Sequence, residues 1–218
     1  MAGKPLIAYS IAAAKKSKLI NRIIVSTDSK KYAIIAKEYG AEVPFFRPKQ
    51  IAGDSSPDYE FMKHAIDWLK NNENYLPDLI LNLRPVTPIR DPKLIDKAIN
   101  TLINNPDYTS LRSAHEMPET AYKMCEVEDG YFKSICTGSF DHDSANKPRQ
   151  AFPTTYTPNG YVDVMRTSFI NNNKILYGNR VKAFITPISY EVDTIDDFSL
   201  LEWLVKKDDK YFKRLFAE

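Results

Sequence analysis

Glycine is scarce in this chain. Its seven glycines include no GxGxxG and no P-loop pattern, so the sequence offers no recognisable glycine loop for cradling phosphate. Cysteine is scarcer still. Cys125 and Cys136 lie too far apart for a CxxC clamp, which excludes a disulfide scaffold and leaves a reduced, cytoplasmic chain as the simplest reading. The three histidines, His64, His115 and His142, are scattered without metal-ligand spacing. The longest apolar runs, such as Leu79-Ile80-Leu81, fall far short of the ~20 residues a membrane helix needs. Lys4, Lys15 and Lys16 interrupt the opening apolar stretch, so no signal peptide is expected there. Neither sign of charge dominates. Thirty Lys and Arg against 28 Asp and Glu leave a net of +2, without the basic excess of a nucleic-acid binder. There is no internal repeat and no low-complexity tract.

What remains suits a folded globule: 43% hydrophobic and 27% charged residues over 218 positions, enough apolar material for one domain with an elaboration. Apolar spacing divides the first hundred residues into alternating pieces. A helix is expected over residues 5–18 with Pro5 in its first turn, a short buried strand over 21–26, and a helix over 30–39 behind Thr27-Asp28-Ser29 and stopped by Gly40. Residues 43–46 read as extended. A long helix over 57–71 follows the cap candidates Asp54, Ser55 and Ser56, and 79–83 reads as another buried strand. Asp91-Pro92 caps and opens a helix ending near Asn104. Strand–helix–strand units of this length predict an α/β fold, a Rossmann-like doubly wound, mostly parallel sheet. Ligands then bind at the carboxyl ends of the strands, where residues 26–29 and 84–90 would lie. Beyond Thr109 a hairpin is expected within 121–136 around Asp129-Gly130, then a polar, proline-rich stretch over 137–160, a strand over 181–185 and a helix over 195–205.

Several residues carry candidate chemistry. Glu191 and Asp193 flank Val192 in an extended segment, which puts both carboxylates on one face, as a magnesium site requires. Capping competes for such acids, and Thr194-x-x-Asp197 matches a capping box, so Asp196 and Asp197 are assigned to the helix start. Arg84 and Arg90 follow a buried strand at the ligand edge and suit a bidentate grip on phosphate or carboxylate. Residue type alone leaves Arg84 and Arg47 open to the plainer reading of surface arginines beside turns. The stretches 146–150 and 158–160 concentrate cations and amides, which a solvated loop would also explain.

The ordered set Gly3-Lys4-Pro5-Leu6-Ile7-Ala8-Tyr9-Ser10, Ile24-Val25-Ser26-Thr27-Asp28-Ser29, Gly40-Ala41-Glu42-Val43-Pro44 with Arg47-Pro48, Arg84-Pro85-Val86-Thr87-Pro88-Ile89-Arg90, Pro148-Arg149-Gln150, Pro158-Asn159-Gly160 and Val192-Asp193-Thr194 resembles the acylneuraminate cytidylyltransferase family across nearly the whole chain. That resemblance implies a nucleotidyltransferase that condenses CTP with a nine-carbon acidic α-keto sugar, giving a CMP-sugar and pyrophosphate with the help of Mg2+. It implies Asp193 as metal ligand with Glu191 in the place of a second aspartate. Arg47, Ser56 and Asp58 would lie near cytidine, and Arg84 near the sugar. Lys123, Arg149 and Gln150 would face the carboxylate and phosphate region, and Asn159 and Asp163 would join the substrate site. A single domain over 1–218 would carry a dimerisation arm at 130–165 and form a homodimer.

Three departures from that family qualify the expectation. Arg84 stands where many relatives carry glutamine, and Asp163 where many carry tyrosine, which leaves other acidic sugars open, among them pseudaminic, legionaminic and 3-deoxy-octulosonic acids. Glu191 lengthens one metal ligand by a methylene. Relatives also open with a strand and a basic phosphate-binding loop ahead of the residues matched here. The expectation is accordingly a chain shortened at its start and impaired in activity, and a catalytically dead nucleotide-sugar binding subunit is the alternative.

Overall fold

A computed structural model describes residues 1–217. Its first half reproduces the expected helices and the strand at 79–83. Helix α1 spans Leu6–Lys16 behind Pro5, α2 spans Lys30–Glu38 and α3 spans Asp58–Glu73. Strand β1 is Leu79–Asn82 and α4 is Pro92–Ile103. Each start has a local cause. The Ser29 side chain accepts from the Tyr32 N–H at the head of α2. Asp91 accepts from the Lys93 N–H, with Pro92 in the first turn of α4. α3 departs from expectation: its cap residue is Pro57 and no side chain caps it. Ser56 instead accepts from the Gly53 N–H at 3.2 Å and closes the preceding turn.

The second half holds β2 (Ser110–Glu116), the hairpin β3 (Cys125–Glu128) and β4 (Tyr131–Ser134), β5 (Tyr156–Arg166), α5 (Thr167–Asn173), β6 (Val181–Ile185), α6 (Ile195–Lys207) and α7 (Lys210–Phe216). The hairpin turns where expected. Asp129 and Gly130 both take positive φ, 51° and 85°, the conformation that matches a two-residue turn to the strand twist. α6 opens with the expected capping box between Thr194 and Asp197.

The main sheet has the order β1-β5-β2-β6. β2 and β6 run parallel, and β5 runs against both β1 and β2. Helices cover both faces, and β5 shows why in its alternation. Val162 and Val164 point into the larger core with Tyr9, Ile95, Leu102, Leu111 and Leu201, while Met165 joins Met62, Ile66 and Ile170 on the opposite face. Full burial of each large aliphatic side chain contributes about 1.5–3 kcal/mol.

Two expectations need correction. The strand expected at 21–26 makes only one parallel bridge, Ile24 to Glu42, and is not joined to β1. The polar stretch expected to run through residue 160 ends sooner, because residues 156–166 form the strand between β1 and β2. Pro158 and Gly160 hid that strand. They sit at an irregularity where β2 advances from Arg112 to Ala114 while β5 runs from Asp163 back to Pro158, so the residues between bulge out of the ladder.

Candidate functional site

That bulge faces the loop after β1, and a buried arginine ties the two together. Arg90 is 1% exposed. Its guanidinium donates to the carbonyls of Tyr161 (2.5 Å), Arg84 (2.8 Å) and Gly160 (2.9 Å), and to the Ser10 hydroxyl of α1 (2.8 Å). Burial lowers its pKa to about 9, with Tyr161, Asp163 and Glu191 opposing the shift, so it remains a cation at neutral pH. Arg90 therefore fixes the backbone of the site from behind. Its sequence position beside Arg84 suggested ligand contact, and only its burial reveals the internal role.

In front of it, three side chains crowd Gly160, whose φ is +57°. A Cβ at that position would stand 3.0 Å from Arg84 Cδ, 3.0 Å from Glu191 Oε1 and 3.2 Å from Thr87 Oγ1. The Thr87 hydroxyl lies 3.4 Å from both the Asn159 carbonyl and Glu191 Oε1. The Val192 N–H donates to the Val86 carbonyl at 2.8 Å, which docks the 191–193 segment alongside the 84–90 loop. Asp193 is exposed, and its own N–H is held by the capping carboxylate of Asp197.

Arg84 is paired with Asp58 in the first turn of α3, and Asn82 approaches the same carboxylate at 3.5 Å. Arg47 donates to the Ser26 hydroxyl (3.1 Å) and carbonyl (2.6 Å) and lies 4.6 Å from the centre of the Phe61 ring. Burial lowers the Arg47 pKa, while Asp28 and Asp58 pull it back up. The structure thus brings Asp58, Arg84 and Glu191 together, with Arg47 nearby beside Ser26 and Phe61, while Asp193 lies two residues beyond Glu191 with its side chain exposed.

Beneath Arg84 a polar stripe crosses three strands, because Asn82 and Arg112 both lie in register with Asp163. Asp163, 2% exposed, accepts from the Ser113 N–H (3.3 Å) and the Tyr177 hydroxyl (2.9 Å), and Arg112 lies 4.0 Å away, stacked 4.8 Å from the Tyr177 ring centre. Burial is the main cause raising the Asp163 carboxyl above its ordinary pKa; Tyr177 and Arg112 oppose it. Tyr177 is raised as well, by burial first and then by Asp163. Asp163 is committed to these internal partners, so it supports the site from below.

The other expected residues stand apart. Asn159 is 1% exposed, and its amide is taken by Thr186 (2.8 Å), His115 (3.1 Å) and the Tyr161 N–H (3.2 Å), so it holds the bulge and presents nothing to a ligand. Ser56 is occupied in its turn. Arg149 is paired with Glu116 at the end of β2, next to exposed Gln150. Lys123 lies in the turn 121–123, which Thr155 anchors to the same strand end. Arg149, Gln150 and Lys123 belong to the segment around the hairpin, and among the described residues no hydrogen bond or ion pair joins them to the Arg84 group. Sequence reading missed Thr87, Arg112 and Tyr177. Thr87 alone had a signal, its place in the loop after β1.

No three His, Cys, Asp or Glu residues come together among the described residues. Magnesium fits the donors present nonetheless, because it takes one or two hard carboxylates and completes its octahedron with water and substrate phosphate oxygens. Glu191 and Asp193 are the candidates for that pair, with the Thr87 hydroxyl beside Glu191.

Residues 1–211 match the family described as Cytidylyltransferase. Among known proteins, the chain is 41% identical over 212 residues to a CMP-N,N'-diacetyllegionaminic acid synthase of Legionella pneumophila, covering 94% of this chain and 87% of that one. It is 31% identical over 207 residues to the post-translational flagellin modification protein B of Campylobacter coli, covering 93% and 84%. Among solved structures, CMP:2-keto-3-deoxy-manno-octonic acid synthetase in complex with CTP superposes with a TM-score of 0.66 over 95% of this chain and 90% of that one, at 14% identity, a likeness of fold.

Proposed function

Because the chain belongs to the cytidylyltransferase family and is a nucleotidyltransferase, we propose that it joins CTP to a nine-carbon acidic α-keto sugar, forming a CMP-sugar and releasing pyrophosphate. The legionaminic acid class is the favoured sugar, on the strength of the 41% identity to the Legionella synthase. The observation that carries this reading is the convergence of Arg84, Thr87 and Glu191 on Gly160, with Asp193 two residues further along the same segment.

In this reading the anomeric hydroxyl of the sugar attacks the α-phosphorus, a new P–O bond forms, and the bond to the β-phosphate breaks. Such a reaction depends on holding two anions in line and neutralising the charge that builds on the phosphoryl oxygens. Arg84 and Arg47 supply fixed positive charge; Asp58 holds Arg84, and Ser26 with Phe61 holds Arg47, so little reorganisation is left for the reacting complex. Glu191 and Asp193 would hold Mg2+, which when bound neutralises triphosphate charge. The buried Asp163–Tyr177 pair keeps the floor under Arg84 rigid. Arg149, Lys123 and Gln150 would reach the ligands from the segment around the hairpin, where closure or a neighbouring subunit can bring them in.

Residues 130–165, together with the hairpin strand before them, are our candidate dimer arm. Val127, Tyr131, Phe132, Ile135 and Phe140 are all more than half exposed there, an apolar surface suited to a second copy. Free Cys125 and Cys136 suit a reducing cytoplasm.

The test is pyrophosphate release from CTP and Mg2+ over a panel of legionaminic, pseudaminic, sialic and 3-deoxy-octulosonic acids, with products read by mass spectrometry. Turnover with a nine-carbon acid and loss of at least about 100-fold in Asp193→Ala, at unchanged melting temperature, is expected. Full activity of Asp193→Ala would remove the metal assignment, and turnover of the eight-carbon acid alone would remove the sugar assignment.

A further inference from the structure

Arg112 lies on an inner strand with its hydrogen-bonding capacity unused. Asn82 of β1 and Arg112 of β2 are both register partners of Asp163 on β5, so the three side chains share one face of the sheet. A counterion that served Asp163 alone would donate to it. Asp163 instead takes its hydrogen bonds from the Ser113 N–H and the Tyr177 hydroxyl, while Arg112 Nε stands 4.0 Å away, buried and without a partner. The side chain is partly exposed, and among the described residues its guanidinium donates no hydrogen bond. The fork is nevertheless held still. It stacks 4.8 Å from the centre of the Tyr177 ring, whose hydroxyl is held by Asp163 and whose carbonyl accepts from Thr109 Oγ1 (2.6 Å) and Ser110 Oγ (2.9 Å). Burial and Asp163 raise the Tyr177 pKa, so the hydroxyl stays protonated and keeps that bond.

We propose that Arg112 is a specificity-determining residue for the sugar, donating to the carbonyl oxygen of an acylamino substituent while Arg84 serves the end that reacts. The inference rests on the acidic-sugar reading of the site. Position supports it first. The Asp58 carboxylate is shared by Arg84 and Asn82, which turns Arg84 over the face that Asn82 shares with Arg112. Two strand spacings set Asn82 and Arg112 roughly 10 Å apart, a gap that a nine-carbon sugar can bridge. Arg84 is also among the charges that favour the Asp163 carboxylate, as a group overhanging the same stripe should be. Charge then selects the group that is bound. Arg84 is paired with Asp58 and Arg112 lies beside Asp163, so the stripe carries little net charge and offers a second anion little. A neutral carbonyl oxygen suits a guanidinium in that setting, since it takes the free N–H donors and brings no charge to balance. Stacking on Tyr177 leaves the fork little freedom to lose when the sugar arrives.

Two variants test it. Arg112→Met keeps the stem and removes the charge; Arg112→Lys keeps a charge beside Asp163 and removes the planar fork, so it carries the measurement should the first fail to fold. With an acylamino-bearing nine-carbon acid, CTP and Mg2+, each should raise the KM for the sugar at least about tenfold and shift that for CTP by less than about twofold. The loss should disappear with an analogue that has hydrogen in place of one acylamino group, because that analogue offers the fork nothing to bind. An unchanged KM for the sugar overturns the assignment. So does an equal loss on every analogue and on CTP together with a lowered melting temperature, the pattern of a merely structural arginine. A parent chain inert with every acidic sugar overturns the proposed reaction and this inference with it, whereas an active parent whose variants discriminate as it does overturns the inference alone.

Discussion

Replacing Arg90 by alanine tests the claim that one buried cation holds the site together. Its guanidinium makes four hydrogen bonds to groups on three separate parts of the chain, namely Ser10 of α1, Arg84 of the loop after β1, and Gly160 and Tyr161 of the β5 bulge. Hydrogen bonds to a charged group net about 1.5–3 kcal/mol each, and the desolvation of a fully buried ion takes back several kcal/mol of their sum. Truncation also removes a donor from the Gly160 and Tyr161 carbonyls and from the Arg84 carbonyl, which keeps the Thr87 N–H. The expected loss is therefore about 3–5 kcal/mol, which for a domain of this size lowers the melting temperature by roughly 10 °C. Arg90→Lys keeps the charge but offers a compact ammonium that cannot span all four acceptors, so it should fall between the two. Thermal and guanidinium unfolding read the stability. Turnover read below the variant's melting transition should also fall, because the Arg84 carbonyl and the Gly160 bend lose a common anchor. An alanine variant melting within about 2 °C of the parent would refute the reasoning.

Gly160→Ala should cost about 1–2 kcal/mol for its left-handed backbone and push Arg84 and Glu191 apart, lowering kcat/KM by at least about tenfold; unchanged steady-state kinetics would count against the convergence described here. Asp163→Asn tests the raised carboxyl. A carboxyl whose folded pKa lies above its unfolded value gives up stability as pH rises from about its ordinary value of 3.8 through the displaced one, so the parent should lose stability over that window relative to the variant, and parallel pH–stability curves would contradict it. Tyr131→Ser with Phe132→Ser should convert the proposed dimer into a monomer in sedimentation experiments while leaving the fold intact; undiminished association would remove the hairpin from the interface.

The helices of the first hundred residues were legible because each carries its own local signal, whereas the strand expected at 21–26 forms one bridge to Glu42. Ser29, Asp91-Pro92 and the Thr194–Asp197 box name helix starts directly, and helical spacing names the buried faces. β2 and β5 were not legible. Arg112 and Asp163 look out of place in central strands, and they are tolerated because each neutralises the other across the register. Pro158 and Gly160 read as breakers, whereas in the fold they shape the bulge that faces Arg84. Among candidate site residues, Arg84, Glu191 and Asp58 meet as their positions at strand and helix ends suggested. Asn159 could not be sorted by type, since an amide that binds ligand and one that satisfies buried backbone look alike until Thr186 and His115 are seen beside it. Arg90 was likewise hidden, because arginine is a surface residue by default and only the carbonyls around it show otherwise.

The placement of β5 also has a bearing on how the protein comes into being. Leu79 pairs with Arg166 and Asn82 with Asp163. At a translation speed of 5–20 residues per second, roughly 4–17 s separate the emergence of β1 from that of its partner. During that interval the Leu-Ile-Leu segment waits with its ladder to β5 unformed, and β2 waits with it. The nascent chain therefore has helices and the β3–β4 hairpin well before it has its main sheet, and its exposure to aggregation and its need for chaperone shelter are concentrated in the span before residue 166 leaves the ribosome.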